Sequence, residues 1–240
     1  MNEVIPNEER VLDWAPRHDP KSRNFPMRAV MGESVPKVRR LWHAGPVLDQ
    51  GREGACVGFG WTGELLARPR TQVGVSTLQA QAHALKVYRR ARQIDEWEGE
   101  NYDGTSVLAG AKTIEEQGMM QGYRWCFGID DVRDALITSG PVVLGINWYE
   151  GMYETDENGI VQVDGLWVGG HCILLTGYDP AFPDPDDDDL THEMFRWRNS
   201  WGKSYGLGGN AWISAKNLSR LLSEQGEACV AGNRLSVKIA

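Results

Sequence analysis

The chain has 240 residues, 41% of them hydrophobic, ten tryptophans and a formal net charge of −8. That length buries a sizeable core as one large domain or two small ones, and that composition belongs to a folded protein rather than a disordered one. The acidic balance argues against a nucleic-acid partner, which needs a basic face, and no apolar run reaches the roughly 18 residues that cross a bilayer.

The N-terminal stretch MNEVIPNEER is charged and lacks an apolar core, so no secretory signal is expected. Four cysteines (Cys56, Cys126, Cys172 and Cys229) form neither a CxxC pair nor a disulfide framework, which fits a reducing compartment. Residues 1–40 hold Pro6, Pro16, Pro20, Pro26 and Pro36, and interior prolines break helices. An extended arm that wraps the domain is expected there; residues 1–10 are equally consistent with a disordered tail.

Gln50 precedes Cys56 by six residues, with Gly51 and Gly54 between them to shape a tight loop. Val57, Phe59, Trp61, Leu65 and Leu66 then give the buried side of a helix that starts near Cys56 and ends before Pro69. A thiol at a helix N-terminus meets the positive end of the backbone dipole, which favours thiolate. The Gln50 amide can donate to an oxyanion formed on an attacked carbonyl. A buried structural cysteine is the plain alternative.

Ser76 to Ile94 has helical spacing and contains His83, expected as a structural histidine. The loop 99–106 feeds a third helix, capped by Thr105 or Ser106, that runs to about Gln117 and stops at Gly118. Asp130 to Thr138 makes a short fourth. From Gly140 the pattern turns to strands: Pro141–Ile146, Gly159–Val163, His171–Tyr178, Phe195–Arg198 and Ala211–Ile213, with a turn at Asn158–Gly159. The first half is expected to be mainly helical and the second mainly β, an α+β fold of two lobes.

The run Asp184–Asp189 has the carboxylates of a cation site but neither the glycine turn nor the distal Glu of a calcium loop, so a solvated hairpin is expected. His171–Cys172 lacks a second ligand pair for zinc. A thiolate needs a base, and the base an orienting group. His171 opens an apolar strand after Gly169–Gly170, and the carbonyl of Asn199, beside Trp201, can hold the imidazole in one tautomer.

In the order Gln, Cys, His, Asn these stretches resemble the papain-like cysteine proteases. GPVLDQGREGACVGFG resembles the family's Gln loop and nucleophile helix, GPVVLGINWYEGMY its Gly-Pro strand, GGHCILLTGYD its His strand, and WRNSWGKSYGLGGNAWIS its Asn-Ser-Trp-Gly segment. The likeness spans about residues 40–215. It implies a helical lobe over 41–138 and an antiparallel sheet or barrel lobe over 139–240, with the active site between them. It makes Cys56 the nucleophile, His171 the general base and acid, Asn199 its orienter, and Gln50 with the Cys56 backbone N–H the oxyanion hole. Gly104, Gly170 and Trp201 are then expected at the substrate. The implied reaction is peptide hydrolysis through a thioester, without a cofactor or metal, by a monomer that acts on polypeptides and binds neither nucleic acid nor membrane.

Glu53 stands where secreted relatives carry a disulfide cysteine, which with the absent signal implies a cytoplasmic or virion-associated member; Val57 stands where they carry an aromatic, which leaves the covalent chemistry intact but alters the packing expected of the helix. The arm resembles the lead-in of prokaryotic and viral members rather than a helical propeptide. Two alternatives keep the scaffold: acyl transfer or deamidation by the same Cys–His–Asn set, as in transglutaminase-like relatives, and a non-catalytic structural or virion-associated protein.

Overall fold

In the computed structural model, which describes residues 5–17, 19–31, 35–69, 72–95, 103–185 and 190–239, the organising element is a helix wrapped on almost every face. After a short strand β1 (Arg40–Leu41) comes this helix, α1 (Cys56–Leu66), followed by α2 (Thr77–Ile94), α3 (Val107–Glu116), β2 (Met120–Cys126) and α4 (Ile129–Thr138). The second half runs β3 (Val142–Tyr149), β4 (Trp167–Pro183), β5 (Thr191–Arg198), β6 (Asn210–Ser214), α5 (Ala215–Ser223) and β7 (Glu227–Arg234). The strands form one antiparallel sheet in the order β2-β7-β3-β4-β5-β6, with β1 paired to β4.

The glycines of α1 explain how one helix serves as a hub. A side chain at Gly58 would collide with the Ala84 carbonyl and Tyr88 of α2, and one at Gly60 would stand 2.9 Å from the Cys172 sulfur of β4. Each helical glycine costs about 1 kcal/mol relative to alanine. Here the gain is backbone-close packing on α2 and on the sheet at once. Val57 and Trp61 fill the space left by Gly110 on α3, and Trp61 Nε1 donates to the Val107 carbonyl at 3.0 Å. Valine at position 57 therefore suits a helix neighbour that has no side chain of its own.

Helix ends follow the sequence closely. Ser76 and Gln79 close a capping box on α2, and Ser106 accepts from Ala109 N at 3.1 Å to start α3. His83 sits in the core between Thr62 Oγ1 (2.9 Å) and Gln117 Oε1 (3.1 Å), and burial lowers its pKa. At the far end of α1, Glu64 lies fully buried and accepts from Arg234 Nε of β7 at 2.7 Å. Breaking a buried ion pair strands the remaining charge, at a cost of about 3–5 kcal/mol. Glu64→Ala is expected to lower unfolding stability by that amount, read as a drop in the urea midpoint; a change under about 1 kcal/mol would mean the pair is solvated.

One expectation needs correction. Gly159–Val163 is not a strand: Asp156 Oδ1 takes the N–H groups of Asn158 (2.9 Å) and Ile160 (2.8 Å), leaving a single bridge from Ile160 to Trp212. The first half is mainly helical as expected, and its strand β2 joins the edge of the sheet beside β7. Part of loop 99–106 and most of the acidic run, residues 186–189, fall outside the described residues. No described helix is long and apolar enough to cross a membrane.

Candidate active site

Cys56 is the first residue of α1, and its predecessor Ala55 offers no side-chain cap. The first-turn N–H groups of an uncapped helix remain free for an anion, whether thiolate or oxyanion. Because Gly60 rests on Cys172, the start of α1 lies against the beginning of β4. The Cys172 backbone reaches the Cys56 sulfur with a hydrogen bond, so the thiol sits against the residue that follows His171.

Sheet register brings in the next partner. Leu174 pairs with Arg198, which sets the end of β5 beside the start of β4 and delivers Asn199 to His171. Asn199 Oδ1 lies 2.8 Å from His171 Nε2 and also accepts from Ser200 N at 2.7 Å. The Ser200 contact identifies that atom as the oxygen, since an amide nitrogen would meet an N–H donor head on. Nε2 must then carry the imidazole proton, which leaves Nδ1 as the basic nitrogen. Nδ1 is buried and has no hydrogen-bond partner. The ring is boxed by Trp148 and Trp201, each with its centroid 4.8 Å away.

Gln50 is stitched to the same region. Its backbone N–H donates to the Ser200 carbonyl at 2.8 Å, Gly202 N–H donates to the Leu48 carbonyl at 3.0 Å, and Ser200 Oγ donates to Gln50 Oε1 at 2.6 Å. Oε1 is thereby occupied and the Gln50 NH2 group turned outward. One of its protons goes to the Glu53 carbonyl at 2.8 Å, the other to the carbonyl of Val11 at 3.2 Å.

Val11 belongs to the N-terminal arm, and the arm fills the cleft. Trp14 N donates to the Gly170 carbonyl at 2.9 Å, Thr105 N to the Asp13 carbonyl at 3.1 Å, and Ala15 N to the Thr105 carbonyl at 3.4 Å. The arm thus runs as a strand between Gly170 on one wall and Thr105 on the other. Asp13 packs over Gly54, and its backbone also reaches the Cys56 sulfur. Arg10, itself buried, pairs with Asp49 and donates to the Trp201 carbonyl at 3.3 Å.

Covered in this way, both reactive groups are 0% exposed. Burial pushes the Cys56 thiol up to about 12, against the opposing hydrogen bonds from the Cys172 and Asp13 backbones. Burial also pulls His171 down to about 4, with the Asn199 hydrogen bond opposing it. At neutral pH the closed site therefore holds a neutral thiol and a neutral imidazole, not an ion pair.

Of the residues expected from the sequence, Gln50, Cys56, His171 and Asn199 gather in one place, and Gly170 lies on the cleft wall. Thr105 pairs with the arm where Gly104 was expected. Trp201 is fully buried under the imidazole. Sequence reasoning missed Ser200, which pins both amides, and the arm residues Val11, Asp13 and Trp14. A serine directly after an expected orienting Asn was the one signal present for the first.

A buried thiol at a helix start beside an imidazole-bearing strand, within an α+β fold, is the architecture of a cysteine peptidase. The model of the papain family of cysteine proteases matches residues 78–226, over half of the chain, and the chain belongs to that family. The matched stretch includes His171 and Asn199; Gln50 and Cys56 lie before it. Among solved structures the fold is similar to that of xylellain, a cysteine protease from Xylella fastidiosa (TM-score 0.64, 18% identity, 95% of this chain and 97% of that one). It is also similar to the digestive procathepsin L2 proteinase of Tenebrio molitor larval midgut (0.60, 16%, 95% and 80%) and to procathepsin B S9 of Trypanosoma congolense (0.57, 16%, 80% and 72%). Comparison with curated protein sequences finds no match.

Proposed function

We propose that the chain hydrolyses peptide bonds with Cys56 as nucleophile and His171 as base and acid, and that the closed arrangement is its latent form. The observation that carries this reading is the peptide carbonyl of Val11 held by the Gln50 amide at 3.2 Å, while, two residues on, the Asp13 backbone reaches the Cys56 sulfur. A group poised to donate to a carbonyl in the cleft is what attack on a peptide requires. Once the arm leaves, His171 Nδ1 takes the Cys56 proton and the sulfur adds to the substrate carbonyl. The tetrahedral oxyanion receives N–H donors from Gln50 and the Cys56 backbone. Imidazolium then protonates the departing amine, a thioester remains, and water, deprotonated by His171, hydrolyses it.

Detachment of the arm has structural support. Cavities of about 680 and 490 Å3 flank it at Arg17, Asp19 and Pro20, where solvent has room to enter beside it. Mass spectrometry of a peptide mixture incubated with the Trp14→Ala chain should find pairs of fragments whose masses sum to a parent plus water. Deamidated or amine-bearing peptides without cleavage would transfer the reading to acyl transfer. An inert Cys56 in that variant would transfer it to a retired scaffold.

A further inference from the structure

Tyr205 is fully buried behind the site, in the glycine-rich stretch that follows Trp201, and the chemistry proposed above does not use it. Its backbone is drawn close to Asn199: Gly209 N donates to the Tyr205 carbonyl at 2.7 Å, and Asn199 N donates to the Gly209 carbonyl at 2.9 Å. Gly206 permits this turn, since its φ of +47° is left-handed and a Cβ there would stand 2.3 Å from the Asn210 carbonyl. The phenol ring then meets Trp201 edge on, with centroids 5.3 Å apart, and Trp201 is the indole that also packs on His171.

A phenol this deeply buried needs partners for one donor and two lone pairs. The donor goes to the Met152 carbonyl at 3.1 Å, in the short turn Glu150–Met152 after β3. The oxygen draws the N–H groups of the Trp197 and Asn199 side chains, contacts that oppose the rise burial causes in the phenol pKa. Neither contact has the geometry of a full hydrogen bond, and Trp197 Nε1 and Asn199 Nδ2, both buried, have no other partner among the described residues. A buried N–H without an acceptor is costly, so the hydroxyl is what the free end of the Asn199 amide has to face.

The other end of that amide is already committed: Oδ1 accepts from His171 Nε2 and from Ser200 N. If the amide turned over, its NH2 would meet the Ser200 N–H head on, and His171 could pair with it only by giving up the proton on Nε2. The proton would then sit on Nδ1 and leave no base for the thiol. Ser200 opposes that turn from one end of the amide. The Tyr205 oxygen opposes it from the other, where a turned amide would set its own oxygen against a hydroxyl whose proton Met152 already holds.

Resting on the peptidase reading above, we infer that Tyr205 is a positioning residue for His171: its hydroxyl, aimed by the Met152 carbonyl, holds the Asn199 amide in the orientation that keeps the imidazole proton on Nε2. A phenylalanine here would fill the same space and leave two N–H groups and one carbonyl unpaired.

The test reads the proton directly. In the full-length chain at neutral pH, where burial holds His171 neutral, nitrogen NMR of isotope-labelled histidine should show this ring protonated on Nε2, its signals assigned by their loss in His171→Ala. Tyr205→Phe should bring up a second population protonated on Nδ1. In the Trp14→Ala background the same substitution should lower kcat for peptide cleavage about threefold to tenfold, the worth of one net hydrogen bond, and leave KM unchanged. Glu64→Ala is the control for lost stability, because it loosens the far end of α1 and touches none of these groups. A His171 that stays wholly on Nε2 in Tyr205→Phe, or a kcat loss no larger than that of Glu64→Ala, overturns the assignment and spares the peptidase reading. Absence of cleavage by Trp14→Ala, with Cys56 inert, defeats the peptidase reading alone, and the nitrogen spectrum still decides what Tyr205 does.

Discussion

Trp14→Ala in the full-length chain should raise the rate of Cys56 alkylation by iodoacetamide at neutral pH by about a hundredfold to a thousandfold. Alkylation needs the thiolate, and with the arm docked the thiol is buried and pushed up to about 12. Reaction then passes through the fraction of molecules whose arm has swung away. Losing a buried Trp side chain costs about 3–5 kcal/mol, here charged against docking, and each 1.4 kcal/mol is about a factor of ten in that open fraction. Cys126, Cys172 and Cys229, all buried, serve as internal controls. If they react alongside Cys56, the variant has unfolded; if none reacts faster than in the parent chain, the arm does not guard the site. Below the free-thiol pKa of about 8.5 the opened Cys56 should still react, provided imidazole takes the proton.

The second large effect concerns that proton. In the Trp14→Ala background, Cys56→Ala and His171→Ala should each lower kcat/KM for peptide cleavage by about four orders of magnitude or more, and the two together by little beyond either alone. Groups that act as a unit fail as a unit. Asn199→Ala should leave KM nearly unchanged and lower kcat less, because in the proposed chemistry it fixes the imidazole proton on Nε2, 2.8 Å from its Oδ1, rather than touching substrate. Additive losses from Cys56 and His171 would instead mean that the two side chains work independently.

The sequence made the local elements readable where one physical signal dominated. Cap residues such as Ser76 and Ser106 bond to the helix that follows them, so α2 and α3 start where expected. The β-branched runs behind β3 and β4 mark buried strands regardless of neighbours. Strands β2 and β7 are different: MQGYRWC and EACVAGNR become strands because they pair with each other, a contact of high sequence separation with no local imprint. The same reason hides the contributors to the cleft. Gln50, Cys56, His171 and Asn199 stand out by residue type and order, whereas Glu227 looks like any charged residue after a helix. It joins the cleft by accepting from Trp14 Nε1 at 3.1 Å, a partner more than two hundred positions away in the chain.

The arm ends at β1, where Arg40 and Leu41 pair with Tyr178 and Gly177 of β4. That anchorage, with the Phe25 carbonyl held by Trp125 N–H at 2.9 Å on the way, gives the plug a local concentration rather than a bulk one. Latency is then independent of how dilute the protein becomes, and no second molecule is needed to maintain it. An external substrate has to compete with that fixed concentration, whereas a single break in the chain between Ala15 and Arg40 turns the plug into a separate peptide that dilution carries off.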